Sequence, residues 1–229
     1  PYNLATPPSS CPHCDHGIRW WENIPVVSYL MLGGRCSGCK TRISARYPIV
    51  ELITAILSIV VVWKMGPSVQ SAALLPLTWA LIALTLIDID HQLLPDSITL
   101  PFLWLGLLLG IFATFITAEE AIVGAVFGYL LLWSFYWLFK LLTGKEGMGY
   151  GDFKLLALFG AWAGWTKVFV VILLSSFVGA VIGIGMIALM GHDKRKPIPF
   201  GPYLAIAGWI TLLWGNEIIE TYLAVAGLR

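Results

Sequence analysis

The stretch AALLPLTWALIALTLID, Ala72 to Asp88, decides the class of fold: sixteen uncharged residues, interrupted only by Pro76, run into a single carboxylate. A run of that length, close to the ~20 residues that cover a hydrocarbon core, reads as a membrane-crossing helix. Outward from it, six further apolar stretches follow the same pattern, at 49–64, 98–118, 121–142, 153–165, 167–190 and 200–214. The expected fold is therefore an all-α polytopic membrane protein with about seven transmembrane helices. Composition agrees, because 58% of the 229 residues are hydrophobic and 12% are charged, where soluble domains carry about 25% charged. The eleven Trp and 23 Gly suit a chain whose spans tolerate Gly and whose borders collect Trp. The formal charge is only +1, so no global field draws in nucleic acid, and that partner is excluded. A last apolar piece, Ile218 to Leu228, follows Asn216 and Glu217 and is expected to be a separate interfacial helix. The chain opens on Pro1 with no charged segment and apolar core before the cysteines, so it reads as a fragment or a processed chain.

Residues 1–47 differ in composition from everything after Pro48 and form a separate polar module, leaving 48–229 as the membrane domain. The module carries two CxxC pairs, Cys11-Pro-His-Cys14 and Cys36-Ser-Gly-Cys39. Such paired turns present four soft thiolates to one tetrahedral ion, which is the pattern of a structural zinc site. Metal binding also supplies folding free energy to a segment too short to bury a sizeable core. Two disulfides are the rival reading, disfavoured if the module lies in a reducing compartment. His13 and His16 read as surface residues beside a complete ligand set. Placing the module inside puts eleven Lys and Arg, among them Lys194, Arg195 and Lys196, in inner segments and three outside. That is the asymmetry expected of cytoplasmic loops.

Ionisable groups in or beside spans are costly and mark function. Asp88 ends the Ala72 stretch, followed by Asp90, Pro95 and Asp96. On a helix Asp88 and Asp90 stand about 200° apart, so only one faces a given partner. Asp88, deepest in the apolar run, is expected to be interior, with Asp90 and Asp96 at a wet helix end or cap. On the same predicted side, Gly147-Met-Gly149-Tyr-Gly151-Asp152 opens the 153–165 stretch. Its glycines suggest backbone conformations closed to other residues and room for an extended peptide beside Asp152. Gly149 and Gly151 are thus candidate substrate-binding positions through their backbone. A flexible loop with Asp152 as an N-cap is the plainer alternative. No strand precedes these glycines, so a phosphate cradle lacks its scaffold. Two carboxylates converging in a partly dry site share a proton and can activate water against a peptide carbonyl. A serine mechanism has little support: Ser175 and Ser176 lie inside an apolar span and read as packing residues.

The chain resembles the type 4 prepilin peptidases, the leader peptidase and N-methyltransferase family of bacterial inner membranes. The resemblance rests on Pro8-Ser-Ser-Cys11 through Cys14, Asn23-Ile-Pro25, Ser28-Tyr-Leu30, Gly34-Arg-Cys36 through Cys39, and Ile43-Ser44. It continues through Arg46-Tyr-Pro48, Glu51, Asp88 with Pro95-Asp96, Gly149 to Asp152, and Pro199-Phe-Gly-Pro202. It implies Asp88 and Asp152 as the catalytic pair and Cys11, Cys14, Cys36 and Cys39 as a cytoplasmic zinc motif. It further implies cleavage of prepilins and pseudopilins, the precursors of type IV pilus and type II secretion systems, at the cytoplasmic face of the inner membrane. A short basic leader is removed after a Gly, and the new N-terminal residue is methylated with S-adenosylmethionine as donor. Membrane lipid is the other implied partner. The family's usual eighth, N-terminal span is missing from this sequence. Two other classes remain open on the residues alone: a proton-coupled transporter using the same Asp residues, which would place its sites nearer the bilayer midplane, and an assembly factor with an inert Asp pair.

Overall fold

The computed structural model describes residues 9–190 and 199–227. Pro8 and the Lys194, Arg195 and Lys196 cluster lie outside the described residues. The chain divides into two compact units, Pro1–Val60 and Val61–Arg229.

In the first unit the two CxxC segments fold into matching knuckles. Cys11 N–H donates to His16 O at 3.0 Å and Asp15 N–H returns to Cys11 O at 2.9 Å. Cys36 N–H donates to Thr41 O at 2.9 Å and Lys40 N–H to Cys36 O at 3.1 Å, the same offsets along the chain. The residue after the second cysteine of each knuckle, Asp15 or Lys40, adopts a positive φ of 53° or 60° to complete the turn. Single antiparallel bridges, Ser10 to Gly17 and Arg35 to Arg42, close the two loops. Between them lie a 3₁₀ turn, Trp20–Asn23, and a short helix α1, Val27–Met31. Helix α2, Arg46–Met65, starts in this unit.

Among its described residues the regular elements of the second unit are all helices: after the end of α2 come α3 Val69–His91, α4 Asp96–Ile111, α5 Ala118–Thr143, α6 Tyr150–Ala163, α7 Trp165–Met190 and α8 Gly201–Val225. The seven apolar stretches read from the sequence overlap α2 to α8 in order, but the 98–118 stretch leaves helix after Ile111 and the 153–165 stretch runs past Ala163 into α7. Among the described residues four helices are long and apolar enough to cross a membrane: Arg46–Met65, Val69–His91, Ala118–Thr143 and the Trp165–Gly185 part of α7. Their ends follow local chemistry. The Ser68 hydroxyl accepts the Ser71 N–H at the start of α3, Thr117 and Glu120 cap α5 reciprocally, and Gly144 ends α5 at φ 69°. Pro95, which lacks an N–H, stands at the N-cap of α4.

One sequence expectation is corrected here. Ile218 onward is not a separate interfacial helix; α8 runs unbroken from Gly201 to Val225. Glu217 does not interrupt it, because its carboxylate is neutralised by an ion pair with Lys64.

Helix α6 is the centre of the bundle. Every residue from Leu155 to Ala163 is buried, which explains how a 14-residue helix can be apolar all round without the length of a span. Its closest partner is α5. Gly124 and Gly160 face each other backbone to backbone, and a Cβ at Gly128 would lie 2.7 Å from Leu156 O. Small residues at a contact let two helices approach until dispersion contacts are dense. On its other sides α6 is tied by Trp162 Nε1–H to Phe102 O of α4 at 2.8 Å. Helices α3 and α8 are joined by Trp209 Nε1–H to Thr78 Oγ1 at 3.0 Å. Ser175 is fully buried on α7 and donates to Ile172 O at 3.1 Å, the packing role read from the sequence.

Candidate functional site

Asp88 sits in the last turn of α3, where the helix stops because Gln92 turns left-handed at φ 53° and returns its N–H to Asp88 O. As the helical spacing required, Asp88 is buried, 6% exposed, while Asp90 is exposed. Asp152 lies three residues past the N-cap of α6 and is also 6% exposed. Its Oδ2 accepts the Gly149 N–H at 3.2 Å, and its own N–H donates to Gly149 O at 3.2 Å. The acid therefore ties its own turn shut while facing a cavity.

That cavity, of about 230 Å³, is lined by both Asp88 and Asp152, with Gly149, Gly151, Leu94 and Glu146 among its walls. Burial, and after it the charge of Asp88, push the Asp152 carboxyl up to about 7, against the opposing hydrogen bond from Gly149. A carboxyl that titrates there is half protonated near neutrality, which is the condition a proton-sharing pair requires.

The glycines serve differently from the sequence expectation. Gly147, Gly149 and Gly151 are absent from the positive-φ glycines, so no special backbone conformation calls for them. Space does: a Cβ at Gly151 would lie 2.8 Å from Leu94 Cβ, and one at Gly147 would lie 2.9 Å from the Phe139 ring. Gly149, at φ −82°, contributes an amide to Asp152. Asp96, the exposed first residue of α4 as the sequence suggested, also receives Lys154 Nζ at 2.7 Å on both carboxylate oxygens, bridging the starts of α4 and α6. Both partners are partly exposed, so the pair contributes at most about 1 kcal/mol.

Two residues of the cleft, Leu94 and Glu146, escaped the sequence reading, and a third, Gly201, entered it only as part of a motif with no role assigned. Leu94, 7% exposed, wedges between Gly151 and Gly201. Gly201, the first residue of α8, lies so close to Asp88 that a Cβ there would stand 2.5 Å from Oδ2, and its backbone amide faces that carboxylate. A glycine between two prolines at a helix start was the available signal. Glu146 stands at the rim, held by Lys140 Nζ at 2.8 Å, which keeps its carboxyl below the usual range. An aromatic shelf of Tyr136, Tyr150 and Phe153, with ring centroids 5.3 to 5.6 Å apart, supports the loop.

In the first unit, Cys11, Cys14, Cys36 and Cys39 place their sulfurs within 4.8 Å of one another, with Cys11 to Cys39 and Cys14 to Cys36 at 3.9 Å. A tetrahedral ion with metal–sulfur bonds of ~2.3 Å needs sulfur–sulfur edges of roughly 3.8 Å. The thiols are free, and their separations are far from the ~2.05 Å of a disulfide. The donor set fits a metal. His16 is turned away from it toward Glu22 at 3.4 Å, and a complete thiolate set leaves no open position for chemistry.

A multi-pass helical membrane protein with two buried acids facing one cavity, and a four-thiolate knuckle pair, defines the class. The chain belongs to the type IV leader peptidase family, whose description "Type IV leader peptidase family" matches residues 75–184. Residues 1–65 match "Bacterial Peptidase A24 N-terminal domain". The curated relative "Prepilin leader peptidase/N-methyltransferase" of Pseudomonas aeruginosa is 61% identical over 228 residues, covering 100% of this chain and 79% of the relative. The protein of the same description from Stutzerimonas stutzeri is 60% identical, covering 99% and 78%. That from Aeromonas hydrophila is 60% identical, covering 97% and 77%. No solved structure matches the chain.

Proposed function

We propose that this chain removes the leader peptide of type IV prepilins and pseudopilins by an aspartate-pair mechanism and then N-methylates the new N-terminal residue. The observation that carries the peptidase reading is that Asp88 and Asp152, on different helices, line one cavity. Asp152, protonated near neutrality, donates to the oxygen of the scissile carbonyl. Ionised Asp88 takes a proton from water as the water oxygen attacks the carbonyl carbon, giving a tetrahedral species. That proton passes to the leaving nitrogen as the C–N bond breaks, and the pair regains its shared proton. Gly149 and Gly151 keep the wall beside Asp152 low enough for an extended segment.

The excess of Lys and Arg in the segments beside the cysteines supports a cytoplasmic active site in the bacterial inner membrane, with lipid around the spans. Residues 1–47 act as the metal-stapled module and 48–229 as the peptidase domain. Zinc is the ion that four tetrahedral thiolates favour, with Cys11, Cys14, Cys36 and Cys39 holding it in a folding role. S-Adenosylmethionine supplies the methyl group that the relatives' name calls for. The transporter reading is set aside: the family is that of a peptidase, and both acids face one cavity outside α6's packed core.

The test is cleavage of a prepilin by purified protein in lipid nanodiscs. Asp88→Asn and Asp152→Asn should each lower the rate by at least roughly 10²–10⁴-fold, the usual contribution of a positioned acid or base, with metal content unchanged. Full activity in either variant rejects that residue's role.

A further inference from the structure

The apolar side chains of α1 are arranged inside out. Val27, Leu30 and Met31 stand at positions i, i+3 and i+4, one stripe of a helix, and all three are exposed, Leu30 by 72% and Met31 by 81%. Ser28 and Tyr29, which carry hydroxyls, are the residues turned toward the interior of the unit, where the Tyr29 hydroxyl donates to Ile43 O at 3.4 Å. The preceding 3₁₀ turn packs against α1 and adds Trp20, 77% exposed, and Trp21, their rings meeting edge to face at 5.4 Å. Arg19 stands beside them, its guanidinium carbon 5.3 Å from the centre of the Trp21 ring. Contiguous apolar surface of this kind marks a protein partner or a membrane.

Depth decides between the two. Helix α2 has 20 residues and is ~30 Å long at ~1.5 Å per residue, the thickness of the hydrocarbon core. Its first turns carry exposed apolar side chains, Ile49 and Leu52 among them, as lipid contact requires. Glu51 lies in the second turn, about 7.5 Å past the helix start. Its Oε2 accepts the Val26 N–H at 2.7 Å, and Val26 is the N-cap of α1. The joint is firm enough to hold this β-branched residue at φ 62°, a region it would otherwise avoid. Helix α1 is thereby fixed level with the first turns of the span. Interfacial amphipathic helices lie at that depth, ~5–10 Å into the boundary of headgroups and acyl chains, where Trp collects.

We propose that the outer face of the 3₁₀ turn and α1, formed by Trp20, Trp21, Val27, Leu30 and Met31, is embedded in the surface of the lipid bilayer. The apolar side chains lie among the first acyl carbons, while the indole N–H groups and the Arg19 guanidinium reach the phosphates above them. The occupant is lipid and not a peptide or a second copy, because Glu51 joins this face to a helix whose own flank is in lipid. The four-thiolate unit is then laid against the membrane at two places, this face and α2, instead of hanging from α2 alone. The inference is independent of the peptidase and methyltransferase readings.

The experiment uses the full chain, one copy per nanodisc, with some of the phosphatidylcholine carrying a photoactivated diazirine near the head of one acyl chain. After irradiation, lipid adducts mapped by mass spectrometry should fall on residues 20–31 with a yield within about threefold of that on residues 49–56 of α2. Trp20→Ser, Trp21→Ser, Leu30→Ser and Met31→Ser combined should lower the yield on residues 20–31 at least tenfold and leave the α2 yield and the melting temperature near wild type, since all four side chains are exposed. If that variant fails to fold, Trp20→Phe and Trp21→Phe carry the test. Each should lower the share of tryptophan emission quenched by lipids brominated near the headgroup, because one quenched emitter is gone. Adducts on residues 49–56 with none on 20–31, or quenching unchanged in both Phe variants, overturns the proposal. So does a face shielded from a water-borne label only when a prepilin is added or when two copies share a disc, which would assign it to a peptide or to a partner chain.

Discussion

At position 201 there is no room for a side chain, because the Asp88 carboxylate occupies the space a methyl would need. Gly201→Ala should push Asp88 off its rotamer. We expect cleavage to fall tenfold or more in kcat with KM nearly unchanged, checked by steady-state kinetics on a prepilin. Methylation of an already trimmed peptide should be spared. The Asp152 carboxyl, raised to about 7, gives a second residue-scale expectation. Its protonated form is complete well below that pH and lost above it, so the cleavage rate should decline as pH rises through about 7, as read from a pH–kcat profile. The same shift acts on stability. An unfolded Asp releases its proton near ~3.9, so from there up to about 7 the folded state is progressively penalised. Asp152→Asn should therefore melt at a higher temperature than wild type at pH 8, with the gap closing near pH 4. The acids themselves were legible: depth in an apolar run singled out Asp88 over Asp90. Gly151 was legible only as part of a motif, because the need it answers is a collision with Leu94, distant in sequence and visible only after folding.

At the scale of elements, the α5–α6 contact fixes where Asp152 stands. Gly124 and Gly160 permit backbone contact between the helices, and Gly160→Val would force them apart. Overpacking of that kind costs about 1–3 kcal/mol or more, and the strain would be felt at the start of α6. Loss of thermal stability together with loss of cleavage is expected, measured by melting and prepilin trimming on the same preparation. The all-helical character could be read from hydrophobic runs, since the apolar stretches overlap helices in chain order, although the 98–118 stretch leaves helix after Ile111. The end of α8 could not: Glu217 looked like a break because its neutralising partner, Lys64, lies far away along the chain. Nor was the short length of α6 interpretable from its own residues. Its environment, a ring of other helices, relieves it of the need to reach across a bilayer.

At the scale of the whole molecule, a metal-stapled unit and a helical bundle are joined in one chain. Four sulfurs at tetrahedral separations lead to one ion per chain by elemental analysis. Cys11→Ser combined with Cys36→Ser should remove it and lower the melting temperature; unchanged metal content would reject the four-thiolate centre. The spacing of the cysteines made this centre readable without coordinates, whereas the outward apolar face of α1 required them. The burial of α6 carries one more consequence. With its flanks walled in from Leu155 to Ala163, Asp152 can be approached only from the head of the helix. If Asp152 acts as proposed, a scissile bond must therefore be delivered end-on, unravelled at the tip of its own hydrophobic stem. On that role, bonds embedded farther down the stem would stay beyond reach, so the depth at which a substrate sits in lipid would become a ruler for where it is cut.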